Sequence, residues 1–305
     1  MLRRAVFCTL HRPLSAAALI AVLAVAGCGS SDNGSSSATK GKIPTVTKDA
    51  KVAAEVPAAV KSKGTLSVAT DASYPPNEFL RAGTKEIIGF DADLADALGK
   101  VMGLKLKLEN VGFDAIIPGM ASKKYDVGLS SFTDTREREK TVDFVTYFEA
   151  ATSFYAKKDF TAKISGLASL CGHSVAAEKG TTQVDDSTAQ GKKCKKAGKP
   201  GVKVLAFPDQ NGANLALSSG RAEIGMADSP VVSYQVQHTG QFKLIGKDYG
   251  PFPYGIAIQK GSGLPKPLQD ALKVLMKNGA YKAILKKWDI ERGGIDSPKI
   301  NAAIS

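Results

Sequence analysis

Beyond residue 64 the chain switches repeatedly between two hydrophobic periods, with short polar connections between the switches. Residues 65–70 and 105–110 alternate as strands do, while residues 91–102 set Leu94, Leu98 and Val101 on one helical face and stop at Gly103. Strand patterns return at residues 127–129, 142–144, 202–207 and 222–227, and helical ones at 211–219, 230–237, 265–277 and 280–288. Strands alternating with helices in this order predict α/β layers around mostly parallel sheets, whose ligands sit beyond the carboxyl ends of strands.

The first 27 residues break that pattern. Arg3, Arg4 and Arg12 precede an apolar run over residues 16–26, with no acidic residue, as in a secretory signal; the run is shorter than the roughly 20 residues of a spanning helix. Val25-Ala26-Gly27-Cys28 resembles a bacterial lipobox, which makes Cys28 the expected lipid attachment site. A Gly/Ser-rich stretch follows and stays polar to about residue 50, so residues 28–60 are expected to be a flexible linker. The implied arrangement is a folded body exported to the outer face of the cell membrane and held there by a lipid.

Composition changes meaning once the signal is set aside. The 305-residue chain carries 41 Lys plus Arg against 29 Asp plus Glu, a net charge of +12, and removal of the signal leaves 38 against 29, or +9. Outside the membrane such a charge has no nucleic acid to meet, and the run Lys192-Lys193-Cys194-Lys195-Lys196 lacks interleaved aromatics, so it reads as a solvated loop. Cys8 leaves with the signal, and Cys171 with Cys194 form the expected disulfide of an exported protein, closing about 24 residues for roughly 3 kcal/mol. No phosphate-binding, dinucleotide, zinc-protease or nucleophile-elbow motif occurs, and neither His173 nor His238 has a partner at metal-ligand spacing. No cofactor, metal or catalytic residue is therefore expected.

Several motifs point to one family. Gly89-Phe90-Asp91-Ala92-Asp93-Leu94, Phe113-Asp114-Ala115-Ile116-Ile117-Pro118-Gly119, Tyr125-Asp126-Val127 and the run from Ser130 through Thr133 to Arg138, followed by Val142-Asp143-Phe144, resemble the family 3 extracellular solute-binding proteins, the polar amino-acid receptors of ABC importers. Thr70-Asp71-Ala72-Ser73-Tyr74, Gly180-Thr181-Thr182-Gln183 and Ala227-Asp228-Ser229 are similar to the same family. Ala92 replaces a larger aliphatic residue, and Asn77 stands where an apolar residue is common beside the pocket. The resemblance implies a two-lobed α/β fold of the periplasmic-binding-protein type, each lobe a mostly parallel sheet flanked by helices. Lobe 1 would comprise residues 61–152 and 253–305 and lobe 2 residues 153–252, joined by two hinge crossings.

The resemblance also assigns a site. Taken alone, Arg138 belongs to a charge run and pairs with Glu137 or Glu139 in solvent; by the family's spacing it is the bidentate partner of an amino-acid α-carboxylate, with Asp134 or Thr135 capping the helix that follows. Ser130, Ser131 and Thr133, with Thr182 from the other lobe, surround the same anion. Asp228, which alone reads as a helix N-cap before Pro230, receives the α-ammonium. Tyr74 and Phe113 sandwich the ligand side chain and Asp71 reads its polar tip, which favours Gln, Arg, Lys or His over an acidic ligand. The expected protein is a monomeric receptor that closes on a free amino acid and delivers it to importer membrane subunits. A cyclohexadienyl-type dehydratase on the same fold is the competing class; it needs an acid with a raised pKa, and no pocket carboxylate beyond Asp71 and Asp228 is expected. A ligand sensor for a signalling partner is a third possibility.

Overall fold

The computed structural model describes residues 43–304; the expected signal, Cys28 and the start of the linker lie outside them. Two short helices, α1 (Ala50–Glu55) and α2 (Ala58–Lys63), open the fold. Asp49 caps α1 by accepting hydrogen bonds from the Lys51 and Val52 amides, and Gly64 ends α2 in the left-handed region at φ 67°. Val52 and Val56 are buried in the main core, so residues 50–60 are packed structure and the expected linker is corrected to end before them.

The first lobe follows the two periods. Strand β1 (Thr65–Thr70) leads to a small antiparallel sheet of β2 (Ser73–Tyr74), β3 (Glu78–Leu80) and β4 (Ile87–Ile88). Helix α3 (Phe90–Met102) buries Leu94, Leu98 and Val101 and stops at Gly103, whose amide reaches back to the carbonyls of Gly99 and Lys100. Then come β5 (Lys105–Asn110), α4 (Phe113–Ala121), β6 (Val127–Gly128) and the single turn α5 (Arg136–Glu139). Strand β7 (Val142–Lys157) leaves the lobe.

The second lobe contains β8 (Ser174–Glu178), α6 (Thr182–Lys196), β9 (Lys203–Phe207), α7 (Gln210–Ser218), β10 (Ile224–Asp228) and α8 (Ser229–Thr239). Cys171 and Cys194 are bonded, with Cα atoms 5.6 Å apart, and tie the end of α6 to the segment before β8. The run of lysines around Cys194 is the last turn of α6, which corrects the expected loop; cations there oppose the negative end of the helix dipole. Strand β11 (Phe242–Gln259) returns to the first lobe, where α9 (Pro265–Lys277) and α10 (Ala280–Trp288) pack on α3.

One eight-stranded sheet, in the order β5-β1-β6-β11-β7-β10-β8-β9, runs through both lobes. Its β1–β5, β1–β6, β8–β9 and β8–β10 pairs are parallel. The two long strands pair antiparallel from Phe242 opposite Lys157 to Gln259 opposite Val142, with register shifts around Tyr249–Gly255. At about 3.3 Å per residue, sixteen residues of β7 reach roughly 50 Å, enough to serve both lobes. β6 joins only the far end of β11 and β10 only the far end of β7, so the two long strands carry the chain between the two groups of strands. Each lobe has its own apolar core: Leu66, Val68, Leu94, Leu98, Leu272 and Ile284 in the first, and Tyr155, Leu217, Val231 and Phe242 in the second. Among the described residues no helix is long and apolar enough to cross a membrane.

Candidate functional site

The nine residues expected to bind ligand all line one pocket between the lobes. Arg138 reaches it from the turn after β6. Thr135 caps α5 by accepting from the Arg138 amide at 3.2 Å, while Asp134 is buried and accepts instead from the Ala302 amide at 2.8 Å. The Arg138 guanidinium lies 5.4 Å and 5.3 Å from the ring centres of Phe113 and Phe132, which are themselves stacked. Nη1 donates to the Thr133 carbonyl at 2.8 Å and Nη2 crosses the cleft to the Gly180 carbonyl at 3.0 Å, leaving the rest of the fork for an anion. Desolvation draws the group down to about 10, against the upward pull of Asp228, Asp185 and Asp134, so it is a cation at neutral pH.

The head of α6 faces the same place. Thr181 gives no side-chain cap to this fifteen-residue helix, because its hydroxyl donates to the Glu178 carbonyl at 2.7 Å. Helix α5 is a single turn with too little aligned dipole to draw an anion; α6, with Thr182 at its first turn, is the long helix beside Arg138.

Asp228 ends β10 and starts α8 without a side-chain cap, so its carboxylate is free for other partners. Oδ2 accepts from the Tyr254 hydroxyl at 2.7 Å and Oδ1 from Gln183 at 2.8 Å, while the Asp228 amide donates to the Tyr74 hydroxyl at 3.0 Å. Burial raises the carboxyl to about 6, and the three neutral donors and Arg138 limit the rise. A carboxylate so held, solvated by neutral groups and short of a full counter-charge, suits an ammonium ion.

Asp71 enters from the carboxyl end of β1. Its Oδ2 accepts from the Phe113 amide at 3.0 Å and its own amide donates to Ser130 at 2.9 Å, yet burial still raises its pKa. The hydroxyls of Ser130 and Ser131 are committed differently from the expectation: they donate to Oε1 and Oε2 of Glu78 at 3.1 and 3.2 Å. Asn77, buried beside them, donates to Ser131 at 2.9 Å. The Ser131 amide, in a left-handed turn at φ 51°, donates to Asp91 and lies 3.2 Å from the Tyr147 hydroxyl. Burial raises both Glu78 and Asp91; the charge of Asp91 raises Glu78 further, while the hydrogen bond with Glu78 limits the rise of Asp91.

Four cavity-lining residues were absent from the expectation: Glu78, Glu178, Thr181 and Gln183. The expectation of no further pocket carboxylate is therefore overturned, and both glutamates have raised pKa values, chiefly through desolvation. Glu178 stands at the carboxyl end of β8, immediately before the Gly180-Thr181-Thr182 turn, and that position was a usable signal. Glu78 gave none, because β3 is too short to show a pattern. Across the cleft Lys179 pairs with Asp114 at 2.7 Å and the Gln210 amide donates to Ser73 at 3.1 Å, so the lobes stand closed on each other.

Two lobes, two crossings and a buried polar cleft between them define a binding protein that closes over a small solute. The model for bacterial extracellular solute-binding proteins, family 3, matches residues 66–291, and the chain belongs to that family. It is similar to an arginine-binding protein of Corynebacterium glutamicum, 31% identical over 252 residues that make up 82% of each chain. Among solved structures it resembles an ancestral arginine-binding protein bound to arginine, with 37% identity, TM-score 0.67, and coverage of 74% of this chain and 98% of that one. It also resembles an ancestral amino acid-binding protein described as a precursor of cyclohexadienyl dehydratase, with 33% identity, TM-score 0.65, and coverage of 75% and 97%.

Proposed function

We propose that this chain is the receptor of an amino-acid ABC importer and that its cleft takes a cationic amino acid, arginine foremost. The observation carrying the reading is the set of charges that line one pocket: a half-buried Arg138 with donors to spare, Asp228 supported only by neutral donors and by Arg138, and the carboxyls of Asp71 and Glu178. An α-carboxylate, an α-ammonium and a cationic side chain carry the complementary charges. The lobes are taken as residues 61–152 with 253–305, and 153–252. Bonds available from both lobes make the ligand a stabiliser of the closed form, which the importer's membrane subunits would select. Export, a lipid on Cys28 and a monomeric receptor at the outer face of the cell membrane complete the proposal.

Isothermal titration of the ligand-free protein with each of the twenty amino acids tests it. Arginine is expected to bind, with lysine, histidine and glutamine weaker, and binding by none of the twenty refutes the assignment. A second reading is favoured by one observation, the two protonation-prone carboxyls of Glu78 and Glu178 in the cavity. A general acid of that kind is what dehydration of a cyclic dienyl acid requires, and formation of phenylpyruvate from prephenate would establish it. Co-purification with a signalling protein in place of importer subunits would support the sensor role.

A further inference from the structure

Glu178 is 3% exposed, lines the cavity, and its Oε1 has no hydrogen-bond donor. Its backbone fixes it there, because the Glu178 carbonyl accepts from Thr181 in the turn that starts α6. From the opposite lobe the Asp71 carboxyl lines the same pocket, and its charge is the foremost one acting on Glu178. Two acids placed in this way have only acceptors to offer each other until one of them holds a proton.

The groups that face this pair do not supply a cation. Asp209 at the head of α7 and Asp228 at the end of β10 are both acidic. Lys179 is engaged by Asp114 at 2.7 Å, Arg138 is held by the Thr133 and Gly180 carbonyls, and the neutral neighbours are Ser73, Tyr74 and the Phe113 amide. Like charges so placed in a buried cleft do not both ionise without a counter-ion.

Resting on the reading above, we infer that Glu178 is a specificity-determining residue: with Asp71 it forms a cross-cleft pair that holds one proton when the side-chain subsite is empty and exchanges it for the cationic tip of the ligand. The exchange balances as one cation entering and one proton passing to solvent, with no covalent change. A guanidinium fits both carboxylates at once through its planar set of N–H donors. A neutral amide such as that of glutamine carries no charge to displace the proton, so it binds the protonated pair. Selection of arginine over glutamine therefore increases as pH rises.

The test is titration of arginine and of glutamine into the ligand-free protein at pH 7.5, in two buffers of different ionisation enthalpy. At this pH Asp228, at about 6, is already ionised, and any residual exchange there is common to both ligands. Arginine is expected to release between half and one proton more than glutamine does. Glu178→Gln is expected to remove that difference and weaken arginine more than tenfold while changing glutamine less than threefold. Equal proton release by the two ligands in the unaltered protein, which requires no variant to fold, overturns the inference and leaves the amino-acid receptor standing. An unchanged arginine-to-glutamine ratio in Glu178→Gln also overturns it. Failure of both amino acids to bind overturns the receptor reading along with it.

Discussion

Around Arg138 the protein has already met most of its own requirements: two carbonyls accept from the guanidinium, two aromatic rings flank it, and Asp228 nearby receives a tyrosine and a glutamine. Around Glu178 it has not, since one carboxyl oxygen has no donor and the strongest neighbouring charges are other carboxylates. In the proposed reading the first region would face groups that every amino acid shares, and the second the part that differs. A satisfied frame would then hold the common α-carbon groups in one pose, and an unsatisfied pocket would make the free energy depend on which side chain arrives.

Removing the frame should cost most. Arg138→Ala leaves a ligand carboxylate without its partner in a desolvated cleft, a loss of about 3 kcal/mol, so arginine and glutamine should both weaken about a hundredfold. A loss confined to arginine would break the distinction between the two regions. Asp228→Asn keeps the contacts with Tyr254 and Gln183 in place but removes the charge, and about tenfold weaker binding of both ligands is expected. For glutamine it should also abolish the expected decline in affinity as pH falls through about 6, where Asp228 becomes protonated and loses its attraction for ammonium, while arginine keeps the part of its decline that comes from the Asp71–Glu178 pair.

Without ligand, stability should run the other way with pH. Burial raises Asp228 to about 6 and Asp134 to about 7 from an ordinary value of 3.8, and Asp71, Glu78, Asp91, Glu178 and Asp186 are raised as well. Each raised carboxyl contributes stability that is complete below its unfolded value and is lost as pH rises through its folded one. The lowered carboxyls, Glu86, Asp126, Glu223 and Asp270, act oppositely but are less buried and change mainly at more acid pH. Melting curves should place the ligand-free protein a few degrees higher at pH 5 than at pH 8, and saturating arginine should narrow or reverse the gap. A ligand-free protein more stable at pH 8 would contradict the assignment of these groups. Smallest of all should be the effect on affinity of replacing Cys171 and Cys194 by serine, less than threefold, although folding stability should fall by about 3 kcal/mol for a bridge spanning 23 residues.

These contrasts follow what sequence periodicity can and cannot carry. Helix α3 and strand β1 were legible because Leu94, Leu98 and Val101 recur at helical spacing and residues 65–70 alternate. Arg138 and Asp228 were legible through their spacing from Phe144 and their place at a strand end. Helix α6 was not, because its buried face consists of Gln183, Ser187, Gly191 and Cys194 and so has no apolar stripe. Helices α1 and α2 are only six residues each; α1 docks Val52 and, at its end, Val56 on the first core and α2 only the partly buried Val60, a tertiary effect that an Ala/Lys-rich stretch does not announce. Asp134 looked like a cap, but a partner 168 residues away in the C-terminal segment claims it. Glu178 illustrates the limit: that an acid at the end of β8 is buried against Asp71 depends on the two lobes meeting, which no local pattern records.

Equilibrium titration of the ligand-free protein at pH 7.5 with arginine, glutamine and glutamate in parallel separates the frame from the pocket in one experiment. Arginine should bind at least tenfold tighter than glutamine, and glutamate, which would add a third carboxylate beside Asp71 and Glu178, should show no saturable binding. Glutamate binding as tightly as arginine would contradict a side-chain subsite built for a cation.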